Sequence, residues 1–397
     1  MSPALLDNPY RIFFPLAWLM GLWGGFVWVL FALGYGSFPA MLHPQAMIAG
    51  FLLGHVMGFL LTAGPRFTGT GALNSIELSI AVAIYLALCG AVVFQQPLNL
   101  SQEVTFVLFA LSVLAMASIL GLRLLRRTKS PPAEFVFLPF GLVAALSGAL
   151  IKVLGETSAF VSLLGNLFIY EAFILSLVLG IGSRLAPFLM GHGDAPDAVS
   201  SPAGAHVRAV NRQRALLLSL IVFWLSYFLE AHFQPVGTAQ IQFARVLRGL
   251  VLLYVFGFQW KLFAGPKSRT RQAWGLWGSA WMMMLGLFAS SLATWRVHSL
   301  HLFYIGGLGL LTLMVATRVT LAHGSKRLIL EKNSQVLYPA IALLLLAAWS
   351  RFAAVFLPEL YVQTLAFAAS LWVVGLFLWG IVFLKEGSRQ SLGSADD

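Results

Sequence analysis

Histidine is the residue type in this sequence best suited to chemistry. Neutral imidazole is the commonest protein metal ligand, and it is costly to bury in apolar surroundings without a partner. The chain contains eight histidines. His43, His232, His298 and His301 fall at the ends of long apolar runs, and His55 falls inside one. This distribution predicts a metal or prosthetic-group site near one end of a set of helices.

The second apolar run begins with a histidine and continues with a regular glycine spacing. At about 100° per residue, His43, Met47, Gly50, Gly54 and Gly58 share one narrow arc of a helix. The pattern predicts a smooth groove with a ligand at its outer end. The alternative is that the glycines serve helix packing, as in other small-xxx-small spacings.

His55 belongs to the same run but points a quarter to a third of a turn away from that arc. It lies about 18 Å along the helix from His43, so the two cannot bind one metal ion. We interpret His55 either as a hydrogen-bonded histidine of the core or of a haem pocket, or as a second ligand.

The tenth apolar run also places histidine above a row of small residues. His298 and His301 are three residues apart and share a face with Gly309, Thr312 and Ala316. Two helices with a histidine at matching depth above a smooth stripe favour a shared prosthetic group over two unrelated packing motifs.

A flat macrocycle between helices requires axial ligands, a surface of close approach and cations for its propionates. We predict that His43 and one of His298 or His301 ligate b-type haem. Arginine suits the propionates because its planar fork binds carboxylates in bidentate fashion. The predicted cofactor-binding residues are His43, His55, His298, His301, Gly50, Gly54, Arg245, Arg248 and Arg296.

Copper is the second cofactor considered. Met47 is a candidate soft thioether ligand beside His43, with simple packing as the alternative; His298 and His301 complete the candidate metal ligands. The single cysteine, Cys89, excludes an intramolecular disulfide, a four-cysteine metal site and c-type haem attachment.

The charged residues inside the apolar runs allow two interpretations each. Arg245 and Arg248 either bind propionates or extend toward lipid headgroups. Glu171, near the middle of a run, is a candidate for a proton relay or a cofactor contact, or it hydrogen-bonds a neighbouring helix. Glu230 and His232 are interpreted as a solvated loop pair, with an exposed metal site as the alternative.

The elements that must position these residues are membrane helices. Of the 397 residues, 59% are hydrophobic and only 10% are charged, against about 25% charged in soluble domains. This composition excludes an ordinary soluble protein and predicts an all-α, polytopic membrane protein. Twelve runs reach the length of about 20 residues that spans a bilayer. They are 12–34, 43–65, 75–95, 104–125, 134–154, 160–184, 214–232, 242–263, 273–292, 298–322, 335–356 and 361–385.

The segments that connect the apolar runs predict the domain organisation and the orientation of the chain in the membrane. We expect one integral membrane domain, residues 1–397, with two six-helix halves at about 1–190 and 210–397 joined by a cytoplasmic loop. Nineteen of the 25 Lys and Arg residues fall on the side that bears both termini, so both termini are predicted to be cytoplasmic. The net charge of +11 then reflects topology and contact with anionic lipid, and no nucleic-acid surface is predicted.

Three segments carry a resemblance to a known family. Residues 8–15, residues 43–70 and residues 301–323 resemble the NnrS family, and the chain length and twelve runs also fit. The resemblance implies a multi-pass haem and copper protein of the bacterial inner membrane that takes part in the response to nitric oxide. It implicates His43, His301 and His323 as functional residues, together with Arg318.

The sequence departs from the family at Gln45, where the family commonly has the second histidine of a His-x-His pair. That change removes one ligand of a copper site built on the pair, and His55 or His298 are candidate substitutes. His323 lies about 33 Å along the helix from His301 and cannot join the same site.

Taken with the residues, the resemblance predicts a haem-binding, and by family a haem–copper, protein of nitric-oxide tolerance or denitrification-linked nitrosative stress. It would bind or transform nitric oxide at an outer-side haem, with an electron donor that the sequence does not identify. The alternative is a secondary transporter of a metal or small solute, with a midplane site at Glu171, His55 and Asn166. A non-catalytic assembly protein is a third class.

Overall fold

The structure is a computed structural model. The residues that it describes are 3–155, 157–193, 205–234, 238–292, 295–322 and 334–388. Throughout these ranges the regular structure is helical, and they contain no strand. Predicted functional residue His323 lies outside the described residues.

Twelve long helices in the described ranges coincide with the twelve predicted runs. They are α1 Tyr10–Ala32, α2 Leu42–Thr68, α3 Ser75–Val93, α4 Gln102–Leu125, α5 Ala133–Leu154, α6 Ala159–Leu189, α7 Arg212–Phe233, α8 Thr238–Gln259, α9 Arg271–Ala289, α10 Arg296–Leu321, α11 Leu337–Phe356 and α12 Pro358–Lys385. Eleven of them are long and apolar enough to cross a membrane. The prediction of an all-α, polytopic membrane protein is confirmed, and the cytoplasmic placement of the termini stays a prediction.

Helix α9 is the one that falls short of the other eleven. It is 19 residues long and begins with Arg271 and Gln272, which lower its mean hydropathy. The predicted run at 273–292 is therefore a helix, although its composition alone does not mark it as a span.

Capping residues determine where some of the helices begin and end. Asn74 accepts a hydrogen bond from the Glu77 backbone N–H, and the Glu77 carboxylate accepts one from Asn74 N–H, each at 2.9 Å. This capping box starts α3. The Arg123 side chain of α4 donates to the same carboxylate at 2.7 Å and ties the two helices together. Helix α2 ends at Gly69, whose φ of +66° suits glycine.

The described chain packs as two compact units. Unit 1 is formed by residues 1–130 and 304–397, and unit 2 by residues 131–303. The units are defined by packing, whereas the two predicted six-helix halves are defined by chain order, and the halves stay a prediction.

Unit 1 is organised around α1, which packs against α2 and α12. Glycines on α1 allow the close approach: a Cβ at Gly25 would lie 2.7 Å from Trp372 Cδ1. Two indole N–H groups then bond across the same interface, from Trp372 to Gly21 O at 2.9 Å and from Trp18 to Leu376 O at 2.8 Å. The interface therefore combines small residues with hydrogen-bonding tryptophans, as expected for membrane helices.

Unit 2 contains the pairs α5–α6 and α7–α8, and α6 also packs against α7. The α5–α6 contact is again close, because a Cβ at Gly148 would lie 3.0 Å from Gly165 O. The short connection between α7 and α8 makes them antiparallel neighbours, which brings the end of α7 beside the start of α8.

Several of these helices contain π-helical turns, which the sequence analysis does not predict. The two histidine helices each contain one of eight residues, Gln45–Leu52 in α2 and Leu302–Gly309 in α10. Shorter ones lie in α6 at Phe168–Ala172 and in α8 at Val255–Gln259. Such turns occur frequently at functional sites, and both long ones begin within two residues of a predicted ligand.

Candidate functional site

His43 is held against α1 by a backbone hydrogen bond. Its Nδ1 lies 2.7 Å from Gly24 O, and its ring packs edge-on against Trp28 with centroids 5.8 Å apart. A carbonyl oxygen only accepts, so the proton belongs on Nδ1 and the lone pair on Nε2. The imidazole is thus fixed in the tautomer that ligates metals through Nε2.

Met47 contacts the same turn of α1. A Cβ at Gly24 would lie 2.7 Å from Met47 Sδ, while Gly24 O accepts the bond from His43. The structure therefore brings the two predicted copper ligands to one glycine. Gly24 leaves the room that the thioether occupies.

His55 is the most deeply buried of the four candidate ligands. It is 4% exposed, and its Nδ1 donates to Phe51 O at 2.8 Å. Its ring lies among those of Phe51, Phe14 and Trp379, at centroid distances of 4.7, 5.0 and 6.4 Å. Its Nε2 is buried and has no hydrogen-bond partner among the described residues. A buried lone pair left in this way is costly and is available to a ligand.

Gln45 is a second buried polar side chain of α2 without a partner in the described chain. It is 1% exposed, and neither Oε1 nor Nε2 makes a hydrogen bond there. In the sequence, Gln45 stands out only as a departure from the family motif. Like His55 Nε2, the Gln45 amide is therefore buried without a hydrogen-bond partner among the described residues.

His298 and His301 are half-buried residues at the start of α10, in unit 2, whereas His43 and His55 belong to unit 1. His301 Nδ1 donates to Val297 O at 2.6 Å. His301 therefore has the same tautomer as His43 and His55, with its lone pair on Nε2.

The glycine face of α2 is covered by protein side chains. A Cβ at Gly50 would lie 2.7 Å from Met20 Cβ, and one at Gly54 would lie 2.7 Å from Ala17 Cβ and overlap the Tyr85 hydroxyl. That hydroxyl donates to Gly50 O at 2.7 Å. The structure thus favours the helix-packing alternative for these glycines, with α1 and α3 as the partners.

Unit 2 contains a cluster of five charged side chains on four membrane helices, four of them buried, here termed the arginine–glutamate cluster. Its members are Glu171 of α6, Glu230 of α7, Arg245 and Arg248 of α8, and Arg296 of α10. The sequence analysis predicts all three arginines as cofactor-binding residues.

Two of the arginines bind the carboxylates closely. Arg248 donates to Glu171 Oε2 and to Glu230 Oε2, both at 2.8 Å. Arg245 donates to Glu230 Oε1 at 2.8 Å. Arg296 reaches Glu171 and Glu230 only at 3.4 and 3.5 Å through one nitrogen. The two carboxylates are therefore bound mainly by Arg245 and Arg248.

Neutral groups complete the surroundings of the two inner arginines. The Arg248 guanidinium carbon lies 3.6 Å from the centre of the Tyr227 ring, and Arg248 Nε donates to Ser226 Oγ at 3.2 Å. Arg245 donates to Ser290 O at 3.1 Å. A cation over an aromatic face, away from water, adds to the attraction.

The cluster corrects two interpretations and agrees with a third. Glu230 is not part of a solvated loop pair, because it is fully buried and ion-paired. Arg245 and Arg248 do not extend toward lipid headgroups, because both are buried in the cluster. Glu171 accepts hydrogen bonds from Arg248 and Arg296 on neighbouring helices, as its structural alternative predicts; its role as a proton relay stays a prediction.

Sequence reasoning missed Glu230 and Tyr227 as members of a site. The signal for Glu230 was present: it lies one turn before the end of α7, and two arginines follow in the first half of α8. Antiparallel neighbours joined by a short connection place such residues side by side. Nothing in the spacing singles out Tyr227.

Among the described residues, no group of three or more His, Cys, Asp and Glu side chains is arranged to hold a metal ion. A site with three or four such ligands is therefore not seen there. Haem needs one or two protein ligands, because the porphyrin supplies the others, so isolated imidazoles are sufficient for it.

The fold and these buried groups define a multi-pass α-helical membrane protein with polar side chains buried between its helices. The chain belongs to the NnrS family: the family model described as NnrS protein matches residues 4–386. The resemblance drawn from the three sequence motifs is confirmed. No curated protein matches the chain.

Proposed function

We propose that this protein binds b-type haem through histidine in the bacterial inner membrane and takes part in the response to nitric oxide. The nitric-oxide part follows from the resemblance to the NnrS family, and one structural observation supports the haem part. His43, His55 and His301 each donate from Nδ1 to a backbone carbonyl, at 2.7, 2.8 and 2.6 Å. Metal-ligating histidines almost always make such a bond with the nitrogen that does not bind the metal.

The burial of His55 supports the fit to haem. Its Nε2 has no partner in the described chain, and the rings around it, from Phe14, Phe51 and Trp379, are apolar. A macrocycle is also apolar over most of its surface, so this environment suits it. His43, His298 and His301 remain ligand candidates. The covered glycine face leaves Gly50 and Gly54 out of the proposed contact.

Copper is a second proposed cofactor, supported by a different observation. His43 and Met47 both contact Gly24, and an imidazole with a thioether suits Cu(I). Metal analysis of the purified protein tests copper separately from haem. Copper lost in His43→Ala and in Met47→Leu, but kept in His298→Ala, would support the assignment.

We expect purified protein to show a Soret band, and we expect His55→Ala or His43→Ala to lower the haem content or change the axial ligation. Because His43 and His55 lie too far apart to bind one metal ion, an effect of both substitutions would mean two haems per protein. His301→Ala should do the same, because its tautomer is the same. The measurement is the optical spectrum together with haem per protein. His232→Ala is the matched control, since His232 is exposed at the end of α7.

Unchanged spectra and full haem occupancy in all three variants would remove the ligand assignment. Loss in His298→Ala with no change in His301→Ala would mean that the wrong member of that pair was chosen. A colourless, metal-free preparation would contradict the function and favour the transporter alternative.

When bound, haem held by these histidines would supply an iron able to bind nitric oxide, either beside a single histidine or in place of one of two. We therefore expect dithionite-reduced protein to shift its Soret band on addition of nitric oxide. Cells that lack the protein should grow worse under nitrosative stress and normally without it. A reduced spectrum that does not respond to nitric oxide, with stoichiometric copper in the same preparation, would move the reactive centre to copper.

A further inference from the structure

The arginine–glutamate cluster contains an excess of positive charge. Three arginines face two carboxylates, so the formal charge of the group is +1. The one other carboxylate that the structure describes in unit 2, Glu134, is ion-paired with Arg212. An excess positive charge held beside the apolar interior of a membrane protein favours the binding of a counter-anion.

The excess charge can be assigned to one residue. All four carboxylate oxygens accept hydrogen bonds, and Arg245 and Arg248 supply the three at 2.8 Å. Arg296 adds only two long contacts through Nη2, at 3.4 and 3.5 Å. Its Nε and Nη1 donate to no group among the described residues. The side chain is 29% exposed, against 9% or less for the other four.

We propose that Arg296, with the outer edge of Arg245, forms a binding site for a small planar monovalent anion of the carboxylate type. One negative charge would neutralise the cluster. Nε and Nη1 of Arg296 make no bond among the described residues, so each can donate an N–H to an anion oxygen. Arg245 Nη2 also makes no bond among the described residues, so it supplies a further N–H donor.

Two sources share this chemistry: a free small anion, and a carboxylate that belongs to a larger bound group such as a haem propionate. One negative charge would neutralise the cluster whichever source supplies it. The site therefore does not depend on the proposed haem, and its test can be read without measuring haem.

Formate is the probe, because it is the smallest planar carboxylate. The full-length protein is dialysed in detergent, and its thermal unfolding is followed as formate replaces a bulky sulfonate salt at constant ionic strength. We expect the unfolding midpoint to rise saturably by about 2–4 °C, because a ligand that binds only the folded state stabilises it.

Arg296→Gln is the decisive variant. It should abolish the rise, and in formate-free buffer it should unfold at the wild-type temperature or above, because it removes the uncompensated charge. Arg269→Gln is the matched control, since it removes one exposed positive charge elsewhere in unit 2, and it should keep the formate response.

The possible results of the formate experiment distinguish the two anion sources and can overturn the proposal. A rise only in haem-free protein identifies the natural anion as a haem propionate, and a rise with and without haem identifies a free anion. The proposal is overturned if no preparation responds to formate or if Arg296→Gln responds like wild type. It is also overturned if Arg296→Gln loses as much stability as removal of Glu230, because Arg296 would then be an ordinary ion-pair partner.

Discussion

Glu230→Gln is expected to lower the free energy of unfolding by about 3–5 kcal/mol, because removing one partner of a buried ion pair leaves the other charges uncompensated. Glu230 is fully buried and accepts from Arg245 and Arg248 at 2.8 Å. Its loss would raise the formal charge of the cluster from +1 to +2. Glutamine has nearly the same shape as glutamate, so the effect would be electrostatic rather than steric.

The measurement is denaturant unfolding in mixed micelles, followed by tryptophan fluorescence. Glu359→Gln is the matched control, since Glu359 is exposed and makes no ion pair in the described chain, and it should change stability by less than about 0.5 kcal/mol. In the double variant Glu230→Gln with Arg245→Gln, the two costs should be far from additive, because the second change removes a charge that the first left unpaired. A Glu230→Gln protein as stable as the control would refute the buried cluster.

Gly54→Ala is expected to cost about 2–4 kcal/mol, from overpacking at a helix contact together with the loss of a hydrogen bond. The new Cβ would overlap the Tyr85 hydroxyl and lie 2.7 Å from Ala17 Cβ. Tyr85 would have to move away, and its bond to Gly50 O at 2.7 Å would break. The effect arises where α1, α2 and α3 pack together.

Tyr85→Phe supplies the internal test of that explanation. Alone it should cost about 1 kcal/mol, the net value of one hydrogen bond. Combined with Gly54→Ala it should restore part of the lost stability, because the overlapping hydroxyl is gone. Gly90→Ala on α3 is the matched control, since a Cβ there meets no described atom within 4 Å.

For Gly90→Ala, unchanged or slightly higher stability is expected, because alanine favours a helix interior over glycine. Equal effects at positions 54 and 90 would refute the packing explanation. If Gly54→Ala instead left stability unchanged and removed bound haem, the predicted groove for a macrocycle would be restored.

The sequence by itself determined the fold class and the positions of the helices. In lipid every backbone polar group must be satisfied within the chain, so apolar runs of about 20 residues become helices whatever their tertiary partners. Helical periodicity also determined which side chains share a face, such as His43 with Gly54, and the motifs identified the family before any fold was known.

Only the tertiary structure decided which groups meet. Periodicity gives the direction of a side chain from its own helix axis, but it does not say which helix lies opposite. Arg248 pairs with Glu171, 77 residues away, and Tyr85 covers Gly50 from 35 residues away. The arginines predicted to meet propionates are thereby ion-paired with Glu171 and Glu230, and side chains of α1 and α3 cover the glycine face predicted as a groove. Such contacts depend on the shape and charge of both partners, and that information lies on separate segments of the chain.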